Sequence, residues 1–274
     1  VVFIVYGVMT EQSIGKLFVA GIVPGLLIAA MFMATIGLLC TFRPGLAPAA
    51  TVATWRERFR SLAGVGEILA LFALVMGGMF AGWFTPTEAA AVGAAGSVAI
   101  ALLSRKCRFR MLATAMGETL RTSCMVMVIV AGATVFGHFL QITNVPTELA
   151  AWMAGLPLPA WGIMLAIIFF YLVAGAFLDA LALVLLTIPI FYPVVLNLGY
   201  DPIWFGVMIV LVTQMGVISP PVGVNVYVVS GMDRAVPLQS VFKGALPYLA
   251  ALVVAALLLL VFPQIATAPT TWVK

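Results

Sequence analysis

The chain has 274 residues, 64% of them hydrophobic and only 8% charged, with a formal net charge of +4. A soluble domain carries roughly 25% charged residues, so this composition excludes a water-soluble globular fold and points to a polytopic membrane protein. The positive balance does not indicate nucleic acid, because Lys and Arg fall in short clusters between apolar runs, where membrane topology accounts for them.

The sequence opens with Val1-Val-Phe-Ile-Val-Tyr6, inside an apolar run that lacks the basic flank and cleavage site of a signal peptide, and it is expected to be a piece of a longer protein. Runs long enough to cross a hydrocarbon core predict simple spans at about 17–41, 66–84, 87–103 and 120–142, with a last one at about 243–262. Arg43, Arg56, Arg58 and Arg60 after the first span, and Arg105, Lys106, Arg108 and Arg110 after the third, place both loops on the cytoplasmic side. The turn Thr85-Pro-Thr-Glu88 then faces outward, with Thr85 as N-cap, Pro86 at the first helical position and Glu88 closing a capping box. Gly78 and Gly82, and likewise Ala89, Gly93 and Ser97, are small residues four apart that predict close helix packing. In the fourth span His138 is expected in an interhelical hydrogen bond, Arg121 in a snorkelling position, and Ser123 as a further candidate hydroxyl for an ion.

Thr147 to Pro159 reads as an outer or interfacial segment with Trp152 and Trp161 as anchors. From about 161 to 196 the chain is apolar for too long to be one helix and is interrupted at Gly175 and Asp179, which predicts a re-entrant hairpin of two half-crossings. Asp179 lies at its centre, where a carboxylate is costly without a cation or a proton, so it is a candidate ion ligand; it can equally cap the half-helix that starts at Ala180. Asp201 as N-cap and Pro202 at the first helical position then start a span at about 203–231.

That span contains Met215-Gly-Val-Ile-Ser-Pro-Pro-Val-Gly223, in which Pro220 and Pro221 supply no N–H, so the helical ladder opens between Gly216 and Gly223. Irregular backbone at membrane depth is tolerated only when buried in protein or lining a wet cavity. Carbonyls around Gly216 to Ser219, with the Ser219 hydroxyl, suit a hard monovalent cation. A half-helix beginning near Val222 offers its N-terminus to a carboxylate, which makes Ser219, Pro220, Pro221 and Val222 candidates for binding substrate. The duller alternative is a proline kink that merely shapes a helix. Asp233, Arg234 and Lys243 mark a cytoplasmic loop and leave the C-terminus outside.

Cys40, Cys107 and Cys124 have no CxxC spacing, and the fourteen Met residues show no ligand pattern. No phosphate-binding loop, HExxH or nucleophile elbow is present, so an enzyme or ATP-driven pump is not expected, and accumulation of a solute would need an ion gradient.

Several of these segments, in order along nearly the whole chain, resemble the large membrane subunit of the tripartite ATP-independent periplasmic (TRAP) transporters. They are Tyr6-Gly-Val-Met-Thr10, Ser13 to Gly25, Phe84-Thr-Pro-Thr-Glu88 with Ala89 to Ala91, Gly175-Ala-Phe-Leu-Asp179, Leu198-Gly-Tyr-Asp-Pro202 with Phe205-Gly206, and Gly216-Val-Ile-Ser-Pro-Pro-Val-Gly223. The resemblance implies an all-α polytopic membrane protein of the bacterial inner membrane, the second half of an inverted-repeat, elevator-type transporter. It implies that residues 1–65 end the first repeat, with one transmembrane helix and a basic cytoplasmic loop. Residues 66–274 would form the second repeat, with its hairpin (about 161–196), broken helix (about 203–231) and final transmembrane helix. It further implies sodium-coupled import of organic acids such as C4-dicarboxylates or sialic acids, with sodium as coupling ion and no other cofactor. The implied partners are a small membrane subunit, a periplasmic substrate-binding protein and membrane lipid. By the same analogy Gly175, Asp179, Gly216, Ser219 and Gly223 flank one sodium site. Two positions depart from the family pattern: Thr213-Gln214 stands where Asn is frequent, and Met79-Phe-Ala-Gly-Trp83 is bulkier than the usual glycine-rich approach. The rival expectations are a non-transporting membrane scaffold and a proton-coupled transporter.

Overall fold

Inside a bilayer a backbone can satisfy its polar groups only in helices or a closed barrel. The computed structural model describes residues 1–42, 45, 54–57, 65–103, 109–155, 157, 159–232 and 237–272, and among these it is helical with no strand. In chain order come α1 (Val2–Thr10), α2 (Ile14–Ala20), α3 (Ile22–Phe42), α4 (Gly66–Phe80), α5 (Pro86–Leu103), α6 (Phe109–Ile142) and α7 (Val145–Ala154). Then follow α8 (Ala160–Gly175), α9 (Ala180–Asn197), α10 (Pro202–Ile218), α11 (Val224–Met232), α12 (Leu238–Val261) and α13 (Gln264–Thr267). Among the described residues five stretches are long and apolar enough to cross a membrane: Ile14–Phe42, Pro86–Leu103, Phe109–Ile142, Ala180–Asn197 and Leu238–Val261. The chain is thus an all-α, multi-pass membrane protein. Arg43, Arg58, Arg60, Arg105, Lys106, Arg108, Asp233 and Arg234, used above for topology, lie outside the described residues, as does Cys107.

Three predicted spans have different ends in the structure: the last starts at Leu238 rather than about 243, and for the other two the local reason is visible. The second stops at Phe80 rather than near 84, because Gly82 adopts φ +75° and the chain turns back. Trp83 N–H reaches Gly78 O at 2.8 Å and Gly82 N–H reaches Met79 O at 3.2 Å, the paired bonds of a Schellman stop. The fourth starts at Phe109 rather than about 120, so that α6 has 34 residues and is about 51 Å long, well beyond a hydrocarbon core of roughly 30 Å. Arg110, Glu118 and Arg121 interrupt hydropathy there but not helix formation.

The chain divides into two compact units, one of Val1–Phe42 with Val126–Lys274 and one of Arg43–Met125. In the second unit α4 packs on α5, with Gly93 facing Val75 Cγ2 at 3.5 Å from where a Cβ would stand and Gly96 pressed against Leu71. The expected small-residue packing is therefore present, but it runs through Gly93 and Gly96. The predicted capping box is formed as well: Glu88 Oε2 accepts the Thr85 N–H at 2.8 Å, and Thr85 Oγ1 accepts the Glu88 N–H at 3.3 Å.

The first unit is built around α10, which packs against α8, α9, α12, α1 and α2. Twelve of its 17 residues are buried, and only one side of the helix, marked by Val210, Gln214 and Ile218, is less covered. Asp201 starts it as expected, its Oδ1 accepting the N–H groups of Ile203 at 2.8 Å and Trp204 at 3.0 Å. Two long-range hydrogen bonds fix this end: Trp204 Nε1–H donates to Leu259 O on α12 at 2.9 Å, and Tyr6 O–H donates from α1 to Pro202 O at 2.6 Å. Tyr6 also lies directly over Gly206, where a Cβ would meet the ring at 2.6 Å.

Tyr6→Phe should lower stability in detergent modestly, by about 0.6 to 2 kcal/mol, the range of buried hydrogen bonds between membrane helices. Gly206→Leu should cost more, since a side chain there needs the volume that Tyr6 and Leu17 already fill. Thermal unfolding of both variants checks this ranking; equal midpoints would contradict it.

Candidate functional site

Two helix interruptions meet in the first unit. The first separates α8 from α9. At its start the backbone tightens, with Ala176 N–H donating to Val173 O at 3.2 Å and Leu178 N–H to Ala174 O at 2.9 Å. Asp179 is then extended (φ −62°, ψ 143°) and its Oδ2 accepts the Leu181 N–H at 3.0 Å, capping α9. Gly175 lies beside Leu183, and Tyr171 bonds Thr187 one turn further from the tip. Moving away from the tip on one helix therefore moves away from it on the other, so α8 and α9 form an antiparallel helical hairpin.

The second interruption separates α10 from α11. Pro220 and Pro221 carry no N–H, so neither can serve the carbonyls of Gly216 and Val217 as a helix would require. Ser219 N–H takes over Gly216 O at 2.9 Å, Ser219 itself is extended (φ −83°, ψ 141°), and Gly223 turns the chain with φ +55° before α11 starts. The half-helix accordingly begins at Val224, not near Val222 as the sequence suggested, because a left-handed residue at 223 cannot continue a helix backwards.

The two interruptions touch backbone to backbone. A Cβ added to Gly216 would stand 2.6 Å from both Cα and C of Gly175 and 3.1 Å from its carbonyl oxygen; one added to Gly175 would stand 3.1 Å from Gly216 Cα. A second tie joins them where Gly223 N–H donates to Ala176 O at 3.3 Å. Gly175, Gly216 and Gly223 are thus brought together. Ala176 belongs with them and was missed by the sequence reading, since an alanine beside a glycine carries no signal of its own.

The remaining candidates are placed as follows. Ser219 is half-buried with its Oγ 3.3 Å from Pro220 O, Pro220 and Pro221 are exposed, and Val222 is half-buried. Asp179 is exposed, with one oxygen spent on the cap. Among the described residues no three His, Cys, Asp or Glu side chains converge, so the oxygens concentrated here belong to the backbone. Arg121, Ser123 and Glu88 fall in the other unit, and His138 is exposed on α6.

A separate cavity of about 560 Å³ lies along α10, lined by residues that include Phe3, Phe32, Val210, Gln214 and Tyr248. Gln214 points about 200° around the helix from Gly216, so this cavity is on the far side of α10 from the crossing. None of its lining side chains is charged, and a carboxylate entering it would lose its hydration without a counter-charge.

Residues 1–265 match the family model described as tripartite ATP-independent periplasmic transporter, DctM component. The chain is 36% identical over 273 residues to the C4-dicarboxylate TRAP transporter large permease protein DctM of Pseudomonas aeruginosa, covering 99% of this chain and 63% of that protein. It is 35% identical over 266 residues to the sialic acid TRAP transporter large permease protein SiaM of Vibrio cholerae, covering 95% and 61%. It is also 35% identical over 271 residues to the isethionate TRAP transporter permease protein DctMQ of Oleidesulfovibrio alaskensis, covering 96% and 41%. The chain therefore spans about three fifths or less of the length of these curated relatives.

The crossing predicts an asymmetry between its two glycines. Gly216→Ala drives a methyl into two backbone atoms of Gly175 and should cost about 1 to 3 kcal/mol. Gly175→Ala, with its nearest atom at 3.1 Å, should cost less. Thermal unfolding in detergent ranks them, and a milder effect at position 216 would refute the backbone contact.

Proposed function

We infer that the chain, which belongs to the DctM component family of tripartite ATP-independent periplasmic transporters, is part of the large permease subunit of a sodium-coupled importer of organic acids in the bacterial inner membrane. The relatives named above carry C4-dicarboxylate, sialic acid and isethionate in their names. All three are organic anions, so the substrate class here is an organic acid delivered by a periplasmic binding protein and handled together with a small membrane subunit.

One observation carries the reading: the backbone contact of Gly175 with Gly216, tied by Gly223 N–H to Ala176 O, between two helices that both stop there. Paired helix interruptions at membrane depth are how secondary transporters present carbonyls to a cation and helix N-termini to an anion. In this proposal sodium is held by carbonyls of Gly175, Gly216, Ser219 and Gly223, with the Ser219 hydroxyl and the charge of Asp179. The carboxylate of the substrate faces Ser219, Pro220, Pro221 and Val222 and the start of α11. The 16 residues of α8 make about 24 Å, less than a core of roughly 30 Å, which suits a re-entrant arm, whereas the 18 residues of α9 are long and apolar enough to cross. Sodium binding fastens the hairpin to the broken helix, and hairpin and break then move together as an elevator. Coupling asks that sodium favour the substrate-competent state by about 1 to 3 kcal/mol.

Asp179 separates this reading from a structural one, because the carboxylate caps α9 and carries charge at once. Asp179→Asn keeps an oxygen for the Leu181 N–H and removes the charge, while Asp179→Ala removes both. In proteoliposomes containing the full-length parent and its partner subunits, uptake should require an inward sodium gradient and fail with equimolar potassium. Asp179→Asn should weaken sodium activation with little loss of thermal stability, and Asp179→Ala should lose about 1 kcal/mol of stability as well. Sodium-independent uptake would favour proton coupling, and an intact complex without uptake would favour a scaffold.

A further inference from the structure

We propose that the hydroxyl of Tyr171 is a positioning group for the ion site: it locks the two arms of the hairpin in one register, so that the oxygens of the tip face the break between α10 and α11. The proposal rests on the reading of that site as an ion site. Tyr171 is 1% exposed and lies one helical turn before Gly175, on the same face of α8. Its hydroxyl is 2.5 Å from Thr187 Oγ1, and that oxygen is 2.7 Å from Leu183 O. A threonine hydroxyl has one proton, and a carbonyl can only accept. The order is therefore fixed: Tyr171 O–H donates to Thr187 Oγ1, and Thr187 O–H donates to the Leu183 carbonyl.

This chain of bonds ends at the crossing. The Leu183 side chain places Cδ2 3.5 Å from where a Cβ of Gly175 would stand, on the residue whose backbone meets Gly216. A sliding of α9 along α8 would carry Leu183 past Gly175 and take Thr187 away from Tyr171. The apolar contacts around the pair do not depend on the hydroxyl. The Tyr171 ring sits among Phe170 and Phe191, with ring centres 6.0 and 5.8 Å away, and phenylalanine would fill the same volume. Nor does the backbone of α9 brace the arm throughout, since Pro189 and Pro193 donate no N–H within it. A buried phenol needs a partner, and here the single partner on the opposite arm is met in one register only. Such a bond adds little to overall stability in a membrane but discriminates between registers.

The test uses the full-length parent with its partner subunits in proteoliposomes, reading uptake against sodium concentration for Tyr171→Phe, Thr187→Val and Thr187→Ser. Tyr171→Phe and Thr187→Val should each raise the half-activating sodium concentration by about 5-fold or more. Uptake at saturating sodium should stay within about 2-fold of the parent, because sodium then restores the register by mass action. Thr187→Ser keeps the hydroxyl and should behave as the parent, and the double variant Tyr171→Phe with Thr187→Val should be no worse than either single one. A sodium-activated parent whose half-activation is unchanged in Tyr171→Phe overturns the positioning role, whatever happens to the melting temperature. Thr187→Ser failing as Thr187→Val does would assign the effect to the methyl group and overturn it too. A parent without sodium activation would instead overturn the ion-site reading on which the proposal stands.

Discussion

The contact on which the site depends is the one between two backbones at Gly175 and Gly216. Helices normally approach to 8–10 Å between axes because side chains stand between them; here nothing stands between, and the α-carbon of Gly175 lies 2.6 Å from where a Cβ of Gly216 would stand, that of Gly216 3.1 Å from where a Cβ of Gly175 would stand. The consequence is geometric. Two helices that each stop within a few residues of the crossing bring their loose ends into the same small volume, and the Gly223 N–H can then reach the Ala176 carbonyl. Without that approach the hairpin tip and the break would be two separate irregularities, each with freed carbonyls and no neighbour to serve them. The other end of α10 is fixed independently by Tyr6 and Trp204, so the helix is anchored at its start and crossed at its finish.

Prolines alone do not make a site, as the chain itself demonstrates. α9 contains Pro189 and Pro193 and remains one helix from Ala180 to Asn197, whereas Pro220 and Pro221 accompany an interruption. The difference lies in what surrounds them. Two prolines four apart each remove one ladder bond and leave the residues between them helical. Two adjacent prolines remove consecutive bonds, the residue before each is pushed toward extended backbone, and Ser219 and Gly223 adopt non-helical angles on either side. A kink would have left α10 and α11 as one bent helix. The observed opening runs from Ser219 to Gly223 and is shared with a second helix end.

Much of this was legible in the sequence, and what was not has definite causes. Spans follow from hydropathy, and caps at Asp201 and Thr85 follow from local chemistry, so both could be read residue by residue. The two interruptions were visible because proline, glycine and aspartate are out of place in apolar runs. Helix ends are less legible: the spacing of Gly82 suits a packing glycine, yet it is the left-handed stop of α4, and charges at Arg110 and Arg121 hide the first part of α6 from a hydropathy argument. Pairings were not legible at all. Nothing local in Tyr6 announces Pro202, 196 residues away, nor does Gly175 announce Gly216. Both depend on which helices become neighbours, and hydropathy in a nearly uniform apolar chain is almost silent on that.

On the proposed reading, the arrangement of helix ends would let one site favour two ions of opposite sign. Each interruption joins a helix C-terminus to a helix N-terminus: α8 to α9 at the hairpin tip, and α10 to α11 at the break. The C-terminal ends present carbonyls and carry partial negative charge; the N-terminal ends present N–H groups and carry partial positive charge. At α9 the positive end is already answered by Asp179 through its cap to Leu181. At α11, whose first turn follows Gly223, no acidic residue occupies that turn. A cation drawn to the carbonyl ends therefore leaves one N-terminal end free for an anion, and in the apolar setting of this unit each ion reduces the cost of burying the other. On the proposed reading, that mutual reduction is the physical origin of coupling. It needs no pathway between distant sites, only two interrupted helices held close enough to share their ends.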